Sequence, residues 1–124
     1  MDEEYRILVV DDDPSQLSLN KHELEREGLV VDPYINPHEA LENAEEADAV
    51  LTDYQMPGMN GYEMWRELQD QKPETPVLFL TGNPDEVLSQ SDEVTQEEVF
   101  SKESLGVETY DQIVEALESH IGGF

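Results

Sequence analysis

Five short apolar runs alternate with segments that carry helix signals, and this alternation limits the possible folds more than any other feature. The runs are rich in Val, Ile and Leu, which is typical of strands buried on both faces of a parallel sheet. The predicted strands are residues 5–10, 29–35, 49–52, 76–80 and 99–101. Because βα units in series are joined by right-handed crossovers, helices should cover both faces of the sheet. The sequence therefore predicts an α/β fold.

Several predicted helices begin with a capping residue followed directly by proline, which suits the first helical position. These pairs are Asp13-Pro14, Asn36-Pro37 and Asn83-Pro84. The first helix should end at Gly28. Two other helices are predicted from apolar residues at helical spacing. The third helix carries Met64, Trp65 and Leu68. The last carries Tyr110, Ile113, Val114, Leu117 and Ile121, and is predicted to be capped by Gly122 and Gly123. The polar stretch 89–98 lacks such periodicity, so the fourth helix is predicted to be short.

The predicted strand order is 2-1-3-4-5, the flavodoxin-like (βα)5 arrangement. In such open sheets, ligands bind at the carboxyl ends of the strands, around the switch point between the first and third strands. The length of 124 residues suits a single core, and the sequence shows no repeat or low-complexity linker. Residues 1–124 are therefore expected to form one domain.

The chain is extremely acidic, with 31 Asp plus Glu against six Lys plus Arg and a formal net charge of −25. Nucleic acid is a poor partner because phosphate contacts need clustered basic residues. Molar salt would screen this self-repulsion, so we hypothesise an origin in a high-salt cytoplasm. No apolar run approaches the ~20 residues of a membrane span and the N-terminus is acidic, so neither a membrane segment nor a signal peptide is expected. The absence of Cys excludes disulfides and thiolate sites.

Residues able to do chemistry follow the predicted strands, where a parallel sheet would bring them to one edge. They are Asp11, Asp12 and Asp13 after the first strand, Asp53 after the third, Thr81 after the fourth and Lys102 after the fifth. Carboxylates at neighbouring strand ends form the oxygen-rich site that Mg²⁺ prefers. A carboxylate can also act as a nucleophile towards a phosphoryl group, whose charge a metal ion and an ammonium would offset.

Two segments carry a resemblance that covers essentially the whole chain. Residues 7–14 read ILVVDDDP and residues 51–61 read LTDYQMPGMNG. Both resemble the response-regulator receiver family. The resemblance implies that Asp53 is the phosphoacceptor, that Thr81 is the switch hydroxyl and that Lys102 pairs with the phosphoryl group. It further implies that Mg²⁺ (or Mn²⁺) is held by Asp11, Asp12, Asp53 and the main-chain carbonyl of Gln55.

The same resemblance implies a role in two-component signalling. A sensor histidine kinase or a phosphotransfer protein would donate the phosphoryl group, and the chain would be a cytoplasmic signalling module and not an enzyme. Its output partner is left open. The surface of the fourth helix, fifth strand and fifth helix is the candidate for signalling and for a possible homodimer.

Three features depart from the family pattern. Glu103 follows Lys102 where a cis-forming proline is usual, which leaves the geometry of that peptide bond open. Val99 stands where an aromatic switch residue is usual, and Phe100 should face the other side of its strand. The acidic region 85–98 lacks the usual small residues before the fifth strand.

The loop that follows Asp53 contains two turn glycines. Both Gly58 and Gly61 are predicted to have positive φ.

Two other functions fit parts of the sequence. Asp11 to Ser15 also resembles the Asp-x-Asp signature of haloacid dehalogenase-like phosphatases, in which Asp11 would be the nucleophile. A pseudo-receiver that keeps the fold but does not switch would explain Val99 and Glu103. The three histidines, His22, His38 and His120, show no metal-ligand spacing and are predicted to lie on helix surfaces.

Overall fold

The computed structural model describes residues 4–90, 93–94, 96–104 and 107–121. Five parallel strands form one sheet in the order β2-β1-β3-β4-β5, which confirms the predicted topology. The strands are β1 Arg6–Val10, β2 Val30–Tyr34, β3 Ala49–Thr52, β4 Val77–Thr81 and β5 Val99–Ser101. The predicted strands match these closely, except that β1 starts one residue later, β2 is shorter at both ends, and β4 starts later and includes Thr81.

Helices alternate with the strands in the described ranges. They are α1 Pro14–Arg26, α2 Pro37–Glu42, α3 Gly61–Gln71, α4 Pro84–Leu88 and α5 Val107–Ile121. Single turns of 3-10 helix at Gln96–Glu98 and Lys102–Ser104 flank β5. The short fourth helix was predicted, whereas the proposed caps Gly122 and Gly123 lie outside the described residues. None of the described helices is long and apolar enough to cross a membrane.

The capping signals in the sequence act largely as predicted. The Asp13 carboxylate accepts a hydrogen bond from the Ser15 main-chain N–H at 3.0 Å, and Gly28 adopts a φ of 88° after α1. Asn36 caps α2 in the same way. Asn83 precedes α4 but its side chain does not cap that helix.

The sheet separates two apolar layers because successive residues of a strand point to opposite faces. In β1, Leu8 and Val10 face the layer that contains Ala40, Met64, Leu68 and Val87 of α2, α3 and α4. Ile7 and Val9 face the layer that contains Leu17, Leu24, Ile113 and Leu117 of α1 and α5. Val99 and Phe100 pack into different layers, which confirms the predicted facing of Phe100. The buried sheet thus provides a rigid base for the side chains at its carboxyl edge.

Candidate functional site

The carboxyl edge of the sheet gathers charged and hydroxyl side chains from four strand ends. Asp11 follows β1 directly and Asp53 follows β3 directly, while Thr81 is the last residue of β4 and Lys102 comes immediately after β5. Since β1 and β3 are neighbours, their two aspartates lie side by side. The parallel topology therefore brings together residues that are up to 91 positions apart in sequence.

Lys102 joins the two buried aspartates. Its Nζ donates to Asp11 Oδ2 at 2.8 Å and to Asp53 Oδ2 at 2.9 Å. Burial alone would lower the pKa of Lys102, but hydrogen bonds to Asp11 and Asp53 and the charges of these carboxylates outweigh it and raise that pKa. The ammonium is therefore a fixed positive charge at the centre of the site.

Asp11 is almost fully enclosed, with 1% of its surface exposed. Burial raises the pKa of Asp11, although hydrogen bonds from Lys102 and from the Asp13 main chain oppose that shift. The Asp13 N–H donates to Asp11 Oδ1 at 2.9 Å, so both carboxylate oxygens have partners. Asp11 is thus held in one orientation.

Asp53 is buried but lines an open cavity. Its Oδ1 accepts from the Tyr54 main-chain N–H at 2.7 Å, while its Oδ2 accepts from Lys102. A cavity of about 560 Å³ lies in front of it, lined in part by Asp12, Thr81, Asn83 and Lys102. A small anionic group can therefore reach the Asp53 carboxylate from solvent.

Three carboxylates are close enough to share one metal ion. One oxygen each from Asp11, Asp12 and Asp53 lies within 4.8 Å of the others. Lys102 pairs with Asp11 and Asp53, whereas Asp12 is exposed and makes no ion pair with a described residue. An all-oxygen donor set with an excess of negative charge fits a hard divalent cation such as Mg²⁺.

Thr81 and Gln55 also line the cavity. Thr81 Oγ1 accepts from the Asn83 main-chain N–H at 3.2 Å, and in the described part of the chain its hydroxyl donates to no protein acceptor. The Gln55 side-chain amide donates to Glu86 Oε2 at 3.0 Å. The role of the Gln55 carbonyl as a metal ligand stays a prediction.

The loop from β3 to α3 shapes the rim of the site, and one expectation about it was wrong. Gly58 has the predicted positive φ of 85°, but Gly61 does not and instead begins α3. A Cβ at Gly61 would lie 2.3 Å from the carbonyl oxygen of Asp53. A glycine is therefore needed at position 61 because α3 comes very close to the main chain of Asp53, and not because the backbone there has a positive φ.

The region after Lys102 is regular despite the missing proline. The peptide bond between Lys102 and Glu103 is trans, and the Glu103 N–H donates to Ser101 Oγ at 3.1 Å. The turn Lys102–Ser104 continues directly from β5. The sequence left the geometry of this peptide bond open, and the structure shows that it is trans.

Some residues at the site were not identified from the sequence. Glu86 accepts from Gln55, and the buried Tyr54 side chain lines a second cavity next to the aspartates. Glu86 gave no signal because it is one of many acidic residues in its region. The three histidines, in contrast, are exposed on α1, α2 and α5, as predicted.

The family model described as the response regulator receiver domain matches residues 7–118. The chain belongs to this family. This confirms the resemblance seen in the two motifs, and it makes the chain a receiver domain, a kind of signalling module related to the phosphorylatable response regulators.

Known proteins similar to this receiver domain include two regulators from Bacillus subtilis. It is 37% identical over 83 residues to the alkaline phosphatase synthesis transcriptional regulatory protein PhoP, covering 65% of this chain and 35% of PhoP. It is 39% identical over 85 residues to the transcriptional regulatory protein ResD, covering 67% of this chain and 35% of ResD. The aligned part thus spans about a third of these relatives.

Solved structures share the fold across nearly the whole receiver domain. The response regulator TrrA from Thermotoga maritima, in complex with Mg²⁺ and a beryllium fluoride, has a TM-score of 0.80 and 32% identity, covering 91% of this chain and 98% of TrrA. A CheY-like receiver from Methanospirillum hungatei has a TM-score of 0.82 and 26% identity, covering 95% of this chain and 97% of that one. The flavodoxin-like prediction is confirmed.

Proposed function

We propose that this receiver domain, residues 1–124 acting as one unit in the cytoplasm, accepts a phosphoryl group on Asp53 from a sensor histidine kinase or a phosphotransfer protein. The observation that carries the proposal is the position of the Asp53 carboxylate. It is 2.9 Å from the Lys102 ammonium, clusters with Asp11 and Asp12, and faces a cavity open to solvent. These are the parts that phosphoryl transfer needs, because that reaction depends mainly on positioning and charge neutralisation.

The transfer proposed here needs no proton from the acceptor. An oxygen lone pair of the ionised Asp53 forms the new P–O bond as the P–N bond of a donor phosphohistidine breaks, and the bonding electron pair stays on the histidine nitrogen. Lys102 would stabilise the charge on the phosphoryl oxygens, and the Tyr54 main-chain N–H would keep the Asp53 carboxylate oriented. The product is an aspartyl phosphate.

The carboxylates of Asp11, Asp12 and Asp53, with the Gln55 main-chain carbonyl, would hold Mg²⁺ or Mn²⁺ in this proposal. When bound, the metal ion supplies positive charge that offsets repulsion between the aspartates and the incoming phosphoryl oxygens. The magnesium and beryllium fluoride complex of TrrA supports this assignment by similarity. Asp12, which has no cationic partner among the described residues, would be the ligand most available to the ion.

The Thr81 hydroxyl would donate a hydrogen bond to the phosphoryl group on Asp53. This hydroxyl lines the acceptor cavity and has a hydrogen to donate. Movement of Thr81 would alter the adjoining surface of α4, β5 and α5, which is the proposed contact surface for an output protein and for a possible homodimer. The chain would then act by binding and not as an enzyme.

Phosphorylation can be tested with acetyl phosphate and Mg²⁺, followed by intact mass measurement. We expect one phosphoryl group per chain, lost in Asp53→Asn and kept in Asp70→Asn, a matched change at an exposed position on α3. Retention of the full mass gain in Asp53→Asn would overturn the proposal. If Asp11→Asn then abolished the mass gain, the result would favour the phosphatase alternative, in which Asp11 is the nucleophile. The structure gives that alternative little support, because Asp11 is enclosed and both of its carboxylate oxygens have partners.

Switching can be tested separately from phosphorylation by adding beryllium fluoride and Mg²⁺ to the labelled protein. We expect amide NMR shifts at Thr81 and along β4 and β5. Shifts confined to the aspartates, with β5 unchanged, would support a pseudo-receiver that binds without switching.

A further inference from the structure

A second cavity, of about 510 Å³, lies beside the acceptor cavity. Tyr54, Met56 and Pro57 form its apolar part, and the carboxylates of Glu86 and Asp12 lie at its polar side. We call this cavity the Tyr54 groove. It shares Asp12 and Gln55 with the acceptor cavity, so an occupant of the groove would adjoin the acceptor site.

The Tyr54 hydroxyl is a polar group without a protein partner. Only 6% of the Tyr54 surface is exposed, and its hydroxyl makes no hydrogen bond to any described residue. Because no fully enclosed side-chain oxygen or nitrogen in the described ranges lacks a partner, this hydroxyl must reach the surface, and the groove is a surface cavity that Tyr54 lines. Such a group is free to hydrogen-bond a ligand that enters the groove.

The groove also carries the negative charge of Glu86, which no described cation neutralises. Glu86 accepts hydrogen bonds from the side-chain amides of Gln55 and Asn83, which are neutral, and pairs with no Lys, Arg or His of the described residues. Asp12 also lines the groove, but it is assigned to the metal ion, so Glu86 is the carboxylate that remains for an occupant of the groove.

We infer that the Tyr54 groove receives an arginine side chain from a partner protein. The aliphatic stem of arginine would pack on Tyr54, Met56 and Pro57, while the guanidinium would donate to Glu86 and to the Tyr54 hydroxyl oxygen. Arginine suits the groove better than lysine because its planar group offers several donors in a fixed geometry that matches a carboxylate.

The occupant is another protein and not a second copy of this chain. At low ionic strength a second copy with a net charge of −25 would be repelled from this acidic groove, whereas a basic segment of another protein would be attracted. The groove is also open at the surface, so an extended segment can place one side chain in it without entering the core.

The inference is tested by NMR titration of the labelled protein in Mg²⁺ buffer with the peptide acetyl-Gly-Gly-Arg-Gly-Gly-amide. The matched ligand has citrulline in place of arginine, which keeps the shape and removes the charge. We expect the arginine peptide to shift the amides of Tyr54, Gln55 and Glu86, and the citrulline peptide to bind at least about fivefold more weakly, as expected for loss of a charged hydrogen bond.

Variants of the protein distinguish the groove from general attraction to an acidic surface. Tyr54→Phe and Glu86→Gln should each weaken peptide binding by about threefold to tenfold, which corresponds to one lost hydrogen bond to a charged group. Glu67→Gln, an equal change of charge at an exposed position on α3, should change it less than about twofold because exposed charges contribute weakly. The spectrum of each variant also reports whether it is folded.

Two results would overturn the inference. One is diffuse shifts over the acidic surface that respond equally to Glu86→Gln and Glu67→Gln. The other is tighter binding of free arginine than of the peptide, since this would mark the groove as a small-molecule site. Neither outcome depends on whether Asp53 accepts a phosphoryl group.

Discussion

Lys102 Nζ lies 2.9 Å from Asp53 Oδ2, so the ammonium that follows β5 touches the carboxylate that follows β3. β4 lies between these two strands in the sheet. The contact therefore crosses one strand, and it fixes the position of the acceptor relative to the β5 edge.

Replacing Lys102 by Gln should slow phosphorylation of Asp53 by about tenfold to a hundredfold, because a hydrogen bond from a charged donor is lost. The free energy of unfolding at pH 7 should also fall, by about 1–3 kcal/mol, since the buried carboxylates of Asp11 and Asp53 lose hydrogen bonds from a charged donor. The rate is measured with acetyl phosphate and the stability by urea unfolding. Lys21→Gln removes an exposed pair with Glu25 and should cost about 0.5 kcal/mol or less. Equal effects of the two substitutions would contradict this account of Lys102.

Gly61→Ala should disturb the acceptor through its main chain. The added methyl carbon would lie 2.3 Å from the Asp53 carbonyl oxygen, so α3 or the acceptor must move, at a cost of about 1–3 kcal/mol. Gly82→Ala is the matched control, because its Cβ would meet nothing within 4 Å. Thermal unfolding should distinguish the two variants; the phosphorylation rate is compared with that of the unsubstituted protein, because Gly82 lines the acceptor cavity. A Gly61→Ala protein as stable as Gly82→Ala would show that the close approach is unimportant.

The phenol of Tyr110 should ionise late in the folded protein. It donates to Asn20 Oδ1 at 2.6 Å in a buried contact between α5 and α1. Burial raises the pKa of Tyr110 from 10.0 to about 12. Because the folded pKa is the higher one, the stabilisation from this neutral phenol is complete below pH 10 and is lost as the pH rises towards about 12.

Phenolate absorbance followed against pH would show this late ionisation as a component missing from Tyr110→Phe. At neutral pH the same substitution should cost about 1 kcal/mol through the lost hydrogen bond. A difference spectrum between the two proteins with its midpoint near pH 10 would contradict the buried environment of Tyr110.

The hypothesis of a high-salt origin predicts that added salt strongly stabilises the folded protein against unfolding, because the chain carries a formal net charge of −25. Near 1 M salt the Debye length is about 3 Å, so repulsion between surface carboxylates is largely screened. Unfolding midpoints measured in dilute buffer and in molar KCl should therefore differ clearly, with the higher value in salt. Equal midpoints would argue against the halophile hypothesis.

The fold was predictable because its signals are local. Asp13-Pro14 and Asn36-Pro37 mark helix starts through contacts within three residues, and β-branched runs mark buried strands. Convergence at the carboxyl edge then follows from parallel topology alone. For this reason the positions of Asp11, Asp53 and Lys102 at one edge could be anticipated without coordinates.

Other features depend on contacts between distant residues that have no local signature. The hydrogen bond from Gln55 to Glu86 joins positions 31 apart, and that from Tyr110 to Asn20 joins positions 90 apart. Periodicity identified Tyr110 as a core residue but could not reveal its polar partner. Gly61 was recognised as a turn glycine, but its reason is the proximity of the Asp53 carbonyl, which only the packed structure shows.

The central claim is that Asp53 itself carries the phosphoryl group, and chemical mapping of the modified residue tests it most directly. Protein treated with acetyl phosphate and Mg²⁺ is reduced with borohydride, which converts an aspartyl phosphate to homoserine, and its peptides are sequenced by mass spectrometry. We predict homoserine at position 53 and unmodified aspartate at positions 11 and 12. Homoserine at position 11, or at none of the three, would contradict the account.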